Sequence, residues 1–242
     1  LGSSTGNMLV DNPEVLRNIF SNTMLPISVH CEDEQAIRKN MVTFTEKYGE
    51  EIHMSCHPQI RSDEACYQSS STAVALAKET GARLHVFHLS TAKETALFES
   101  DPAVEFKTIT SEVCIHHLWF FDADYADKGR LIKWNPAVKT AQDRAGLWEA
   151  LNDDRIDIIA TDHAPHTIDE KMNPYPKAPA GGPMVQHALS VLLECHLQGK
   201  ISIEKIVQKM AHNPAKLFEI DRRGFIREGY YADLVLVDMD AP

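Results

Sequence analysis

Short apolar runs that end abruptly in imidazoles and carboxylates recur along this 242-residue chain, separated by segments of helical period. Ile158-Ile159-Ala160 runs into Thr161-Asp162-His163-Ala164-Pro165-His166, Pro26-Ile27-Ser28-Val29 delivers His30-Cys31-Glu32-Asp33, and Arg83-Leu84-His85-Val86-Phe87 delivers His88-Leu89-Ser90. A β-branched stretch over 106–114 reaches His116 and His117. Runs of this kind read as strands of a parallel sheet covered on both faces. The residues just past their C-terminal ends stand where such folds place their chemistry.

Between the strands, a helix is predicted over 13–23, with Asn12 as N-cap and Pro13 at the first helical position. Helices over 34–48 and 63–80 close on Gly49 and Gly81, the residue type favoured just past a helix end. Others are expected over 91–99, over 144–151 behind a Thr140 cap, and over 184–198, 203–212 and 214–218.

Strand-helix units with short links give parallel strands, which either roll into a barrel or open into a doubly wound sheet. The chain has no glycine-rich turn of dinucleotide or phosphate-loop type, and its candidate chemistry is spread over several strand ends. Both points favour an α/β fold of the (β/α)8 TIM-barrel type. About four strands are complete before Asp162, whereas a barrel has eight in typically ~250 residues. The expectation is therefore roughly the second half of a barrel over residues 1–218. Residues 224–238 predict a turn and then a strand without a partner, the start of a small β-sandwich accessory domain over 219–242.

Composition narrows the partners. With 43% hydrophobic and 24% charged residues the chain fits a globular protein with a large core, and its formal charge of -11 argues against nucleic acid or an anionic membrane as main partner. No run approaches the ~20 apolar residues that span a bilayer. The five cysteines are odd in number and contain no Cys-x-x-Cys pair. They read as reduced thiols with packing roles in a cytoplasmic protein.

A single histidine at a strand end is more often hydrogen-bonded core than ligand. Several imidazoles and a carboxylate on separate strand ends of one barrel are another matter, because this donor set suits zinc. A catalytic zinc keeps an open position for water and lowers its pKa to about 7, and a neighbouring carboxylate can serve as base.

The 161–166 run, Val29-His30-Cys31-Glu32-Asp33, His85-Val86-Phe87-His88-Leu89-Ser90 and Gly2-Ser3-Ser4-Thr5-Gly6-Asn7 together resemble the dihydroorotases of the amidohydrolase superfamily. The resemblance runs from Leu1 to Asp238, and Asp162-His163-Ala164-Pro165-His166 is its most specific part. It implies a barrel holding one or two zinc ions, which interconverts dihydroorotate and N-carbamoyl-L-aspartate in pyrimidine synthesis. On the matching positions, His30 and His88 are implied as metal ligands. Asp162 is implied as a metal ligand and as the group that carries a proton between the attacking hydroxide and the ring nitrogen. His166 is implied to bind the substrate carboxylate, with Asn135 and the backbone of Ala180 and Gly181 against the ring.

The family's His-x-His pair and its arginine for the substrate carboxylate do not stand in this sequence, and the resemblance at Gly2–Gly6 implies that the bridging ligand is expected just upstream of Leu1. The alternatives are a hydantoinase or allantoinase, which has no need of His166, and a non-catalytic relative kept for assembly. The expected partner is the small-molecule substrate, and a homo-oligomer is compatible with the chain. Four readings stay open on the residues alone. Asn135 is also a turn residue before Pro136. Gly181-Gly182-Pro183 is also a helix-entry turn. Glu32 and Asp33 are either supports for His30 or acids opening a helix. The 167–179 segment is either a lid or a solvated loop. His116 and His117 fit a position at the end of a family strand. His53, His57, His187, His196 and His212 are given no chemistry.

Overall fold

Residues 10–239 are described by a computed structural model. Its centre is a parallel sheet of four strands: β1 (Ile27–Val29), β2 (Leu84–Val86), β3 (Ile109–Cys114) and β4 (Ile158–Ala160). They lie side by side in chain order, β1-β2-β3-β4. Val29 pairs with Val86, Val86 with Ser111, and Cys114 with Ala160. A doubly wound sheet reverses its strand order at a switch point. This order does not reverse across the four strands, as in the wall of a barrel.

The local signals that start and stop the helices act as the chemistry requires. Asn12 Oδ1 accepts from the backbone N–H of Glu14 and Val15 at 3.0 and 3.1 Å and opens the Pro13–Ser21 helix. Asp33 caps the Glu34–Tyr48 helix through the Ala36 N–H at 2.7 Å. The Asp63–Thr80 helix ends on Gly81, whose φ of +72° is left-handed. Thr140 and Asp143 form a reciprocal capping box at the Ala141–Asn152 helix.

Three predicted helices differ from the observed ones. The 91–99 segment is helical only over Ala92–Thr95. The 184–198 segment becomes regular at Ala188–Leu197, because its first residues turn back onto Gly182. The 203–212 segment is α-helical over Ile203–Val207 and then widens to a π-turn over Gln208–His212. There Pro214 withholds the N–H that would bond the Met210 carbonyl. In the widened turn Lys209 is fully buried and reaches the Ile156 carbonyl at 2.6 Å.

The core lies between the sheet and these helices, where Val29, Leu84, Val86, Val113 and Ile159 meet Phe20, Ala73, Leu147, Leu151 and Leu192. At the N-terminal ends of the strands Lys107 and Asp157 make a buried ion pair at 2.7 Å, and Asp157 also accepts the Ser111 N–H at 2.9 Å. Charge placed at that end serves the fold. The opposite end is free for chemistry.

The expected C-terminal strand does not form. Residues 219–239 contain turns and no ladder, and Leu236 is 99% exposed. Among the described residues no strand lies beside this apolar β-former to take its backbone hydrogen bonds. The Gly2–Gly6 motif lies outside the described residues.

Candidate metal centre and substrate cleft

His30 follows the last residue of β1 and His88 lies two residues past the end of β2, on adjacent strands. The pairing brings His30 Nδ1 to 3.0 Å from His88 Nε2, with the rings edge-on at 77°. The other nitrogen of His30, Nε2, lies 3.1 Å from Glu32 Oε2, and that carboxylate is clasped by Arg61. A ligating imidazole is commonly held in this way, one nitrogen on a carboxylate and the other presented to the ion. Burial raises the Glu32 carboxyl, but Arg61, then His30 and Lys139, outweigh it and hold it below the usual carboxylate range. Burial, helped by His30 and His117, pushes His88 well below the ordinary imidazole value, so it is neutral. Neutral imidazole is the ligating form.

The two acids after His30 take different partners. Asp33 caps the helix, and Glu32, 1% exposed, supports the imidazole. The second histidine of the β2 run is spoken for: His85 bonds Thr110 Oγ1 at 2.9 Å and Glu112 Oε2 at 3.0 Å. That leaves His88 as the one with nitrogen to offer.

Asp162 stands two residues beyond β4. It is solvent-exposed, yet the protein around it still desolvates the carboxyl and raises it, an effect that Glu112 reinforces and nearby His30 opposes. No direct contact joins it to the imidazole pair. His88 and Asp162 share a backbone feature, φ of +34° and +44°. Left-handed backbone is uncommon away from glycine and gathers at functional sites.

The rest of the predicted cleft converges on the same rim. The Ala164 N–H donates to the Gly182 carbonyl at 3.2 Å, and the Gly181 N–H donates to the Lys133 carbonyl at 2.9 Å. These bonds bring the 162–166, 133–135 and 180–182 segments together. Gly181 has φ +130°, and a Cβ there would lie 2.5 Å from the Ala164 carbonyl oxygen. Only glycine allows that approach. Asn135 precedes Pro136 across a cis peptide bond, and its Oδ1 is buried without a hydrogen-bond partner. Ala180 is half-buried. His166 is 28% exposed, with Nδ1 3.7 Å from Glu170 across one helical turn.

Buried cations hold this rim from beneath. Lys171 Nζ donates to the carbonyls of Lys133, Pro179 and Gly181 at 3.1, 3.0 and 2.8 Å. Lys133 Nζ donates to those of Tyr175 and Ala178 at 2.7 and 2.6 Å. Burial lowers both ammonium groups to about 8. The 167–179 segment is thus anchored along its length, starting from a Thr167-capped turn over Ile168–Lys171. His57, given no chemistry from sequence, is fully buried and bridges Tyr175 Oη at 2.8 Å and the Trp134 carbonyl at 2.7 Å. Its partners are 118 and 77 residues away, so no local pattern marks it. Among the described residues, one further group of close metal-type donors is Cys114, His116 and His117.

The chemistry of the imidazole pair suits a metal ion: two imidazole nitrogens face each other, one ring anchored by a carboxylate and the other neutral by burial. No described helix is long and apolar enough to cross a membrane.

The amidohydrolase family model matches residues 11–242. The chain is 35% identical over 243 residues to the dihydroorotase of Halobacterium salinarum, covering 99% of this chain and 54% of that protein. It is 40% identical over 166 residues to the dihydroorotase of Carboxydothermus hydrogenoformans, covering 68% and 38%. Among solved structures it is similar to L-hydantoinase (dihydropyrimidinase) from Arthrobacter aurescens, with TM-score 0.86 and 25% identity over 95% of this chain and 52% of that one. The chain spans about half the length of the relatives it matches. A match over nearly all of the sequence, on a sheet of barrel order with its donors at the strand ends, makes this chain a member of the amidohydrolase family.

Proposed function

We propose that the protein to which this chain belongs is a zinc-dependent dihydroorotase of the cytoplasm. It opens the ring of dihydroorotate to N-carbamoyl-L-aspartate and closes it again, in pyrimidine biosynthesis. The observation that carries the proposal is the facing of His30 Nδ1 and His88 Nε2 at 3.0 Å, with His30 fixed from behind by Glu32. The names of the relatives at 35–40% identity supply the substrate.

In this reading His30, His88 and Asp162 hold one or two zinc ions. When bound, zinc polarises the scissile carbonyl and lowers the pKa of water. The chain's own residues do the rest. Asp162, whose carboxyl is raised by desolvation, takes a proton as water adds to the carbonyl carbon. It returns that proton to the ring nitrogen as the C–N bond breaks, so atoms and charge balance. His166 meets the substrate carboxylate in competition with Glu170, and Asn135 Oδ1 accepts from a ring N–H while the backbone at Ala180 and Gly181 lines the ring. Residues 1–218 belong to the barrel. The 219–242 segment opens a small β accessory unit.

The test is turnover of dihydroorotate by the full-length protein with zinc supplied, beside an Asp162→Ala variant. Activity in the first and its collapse in the second supports the reading, and an active Asp162→Ala protein refutes the role of the base. The structural likeness to L-hydantoinase favours one second reading, a hydantoinase-type substrate. A wild-type protein that opens hydantoins well and dihydroorotate poorly, with hydantoin turnover undiminished in His166→Ala, would favour that second reading.

A further inference from the structure

One strand over from the imidazole pair, Cys114 closes β3, and His116 and His117 sit in the helical turn directly after it. One ligand atom from each lies within 4.8 Å of the others, and all three side chains are buried. The His117 Nε2–H donates to the Pro136 carbonyl at 3.0 Å, so Nδ1 keeps its lone pair, and Nδ1 has no partner. Neither nitrogen of His116 has a partner either. Its ring lies flat on Trp134, with centroids 4.3 Å apart and planes at 9°. Stacking occupies a ring face and leaves the in-plane nitrogens free. Trp134 Nε1 is likewise buried with no acceptor. Four orphaned nitrogens in one buried cluster are far from the rule for protein interiors, where such atoms find protein, water or an ion.

We propose that Cys114, His116 and His117 form a second cation site, separate from the His30–His88 pair and built for a borderline-soft divalent ion such as zinc. One sulfur and two imidazole nitrogens are a zinc donor set, and drawing them from 4.8 Å to tetrahedral spacing takes about 1 Å of side-chain movement. The fourth position falls to a water that accepts from Trp134 Nε1. Burial, and then the carboxylates of Glu112 and Asp162, raise the Cys114 thiol well above its ordinary range, and of these the two carboxylates favour a cation. The negative charges that penalise a bare thiolate stabilise the ion that displaces its proton. Burial also keeps the imidazoles neutral, His117 at about 4. His117 Nε2 on Pro136 fixes the ring from behind, so an ion here ties the end of β3 to the loop carrying Asn135.

Cobalt(II) is the probe, because a thiolate ligand gives it an intense near-ultraviolet charge-transfer band that nitrogen and oxygen ligands do not. Metal-free full-length protein titrated with cobalt should develop this band to one equivalent per chain. The band should persist in His30→Ala and in Cys31→Ser, and it should be absent in Cys114→Ser. His117→Gln keeps every thiol and should shift the titration midpoint at least tenfold toward higher cobalt. Absence of the band from the wild-type protein overturns the proposal whatever the variants do. So does a band that survives in Cys114→Ser or a midpoint unmoved in His117→Gln.

Discussion

Replacing Glu32 by Gln tests the support beneath the imidazole pair. The carboxylate is 1% exposed, 3.1 Å from His30 Nε2 and clasped by Arg61. Gln preserves shape and removes charge, so the bond to His30 loses its charge assistance, roughly half its strength. Breaking a buried ion pair costs ~3–5 kcal/mol. The Arg61 side chain is 14% exposed and Gln still offers an acceptor, which brings the expected loss to about 1–3 kcal/mol. Zinc affinity should fall on the order of 10–100-fold, as it does when the group behind a ligating imidazole is lost.

The pH dependence has a definite sign. The folded-state carboxyl of Glu32 is held below its ordinary range. Its stabilisation is therefore present above the unfolded value of about 4.3 and is lost as pH falls through the lower folded value. Urea denaturation of wild type and Glu32→Gln in the full-length protein should show a stability gap at pH 7 that narrows below about pH 4. Zinc competition against a chromophoric chelator reads the affinity. Unchanged affinity with a pH-independent gap would refute the claim that Glu32 orients His30.

Three other substitutions probe the rim and the core. Gly181→Ala places a methyl 2.5 Å from the Ala164 carbonyl oxygen at φ +130°; it should cost ~1–3 kcal/mol and at least tenfold in kcat/KM, read by thermal melting and dihydroorotate turnover. Lys171→Met removes the donor to three carbonyls; it should cost on the order of 3 kcal/mol, and limited proteolysis should cut faster within 172–180. Glu94 is buried among Ser70, Thr91 and the Ser90 N–H, and burial raises its carboxyl above the unfolded value. Its ionisation therefore weakens the fold as pH rises through that interval, so Glu94→Gln should gain stability relative to wild type between pH 4 and pH 7, and a constant difference by urea titration would contradict this.

The strands are legible in the sequence because each is a short apolar run delivering a polar residue. The caps Asn12, Asp33 and Thr140 are legible because capping is a local, two-to-three-residue chemistry. Pattern alone places His30 and His88 on separate strand ends, but neither side by side nor nitrogen to nitrogen. The Glu32–Arg61 contact spans 29 residues, and the His57 bridge spans more. Tertiary contacts of that reach leave no periodic trace. The helical period of 91–99 continues past Thr95, where the backbone tightens into turns closed by Leu97 N–H to Glu94 and Phe98 N–H to Thr95. The segment near Leu236 has the composition of a strand and, among the described residues, no neighbour to pair with.

The metal dependence of dihydroorotate ring opening by the full-length protein decides whether the imidazole pair holds a catalytic ion. Chelation should abolish turnover, zinc should restore it in wild type, and zinc at the same concentration should not restore it in His88→Ala. Turnover that survives chelation, or a His88→Ala protein that zinc fully revives, would contradict the assignment.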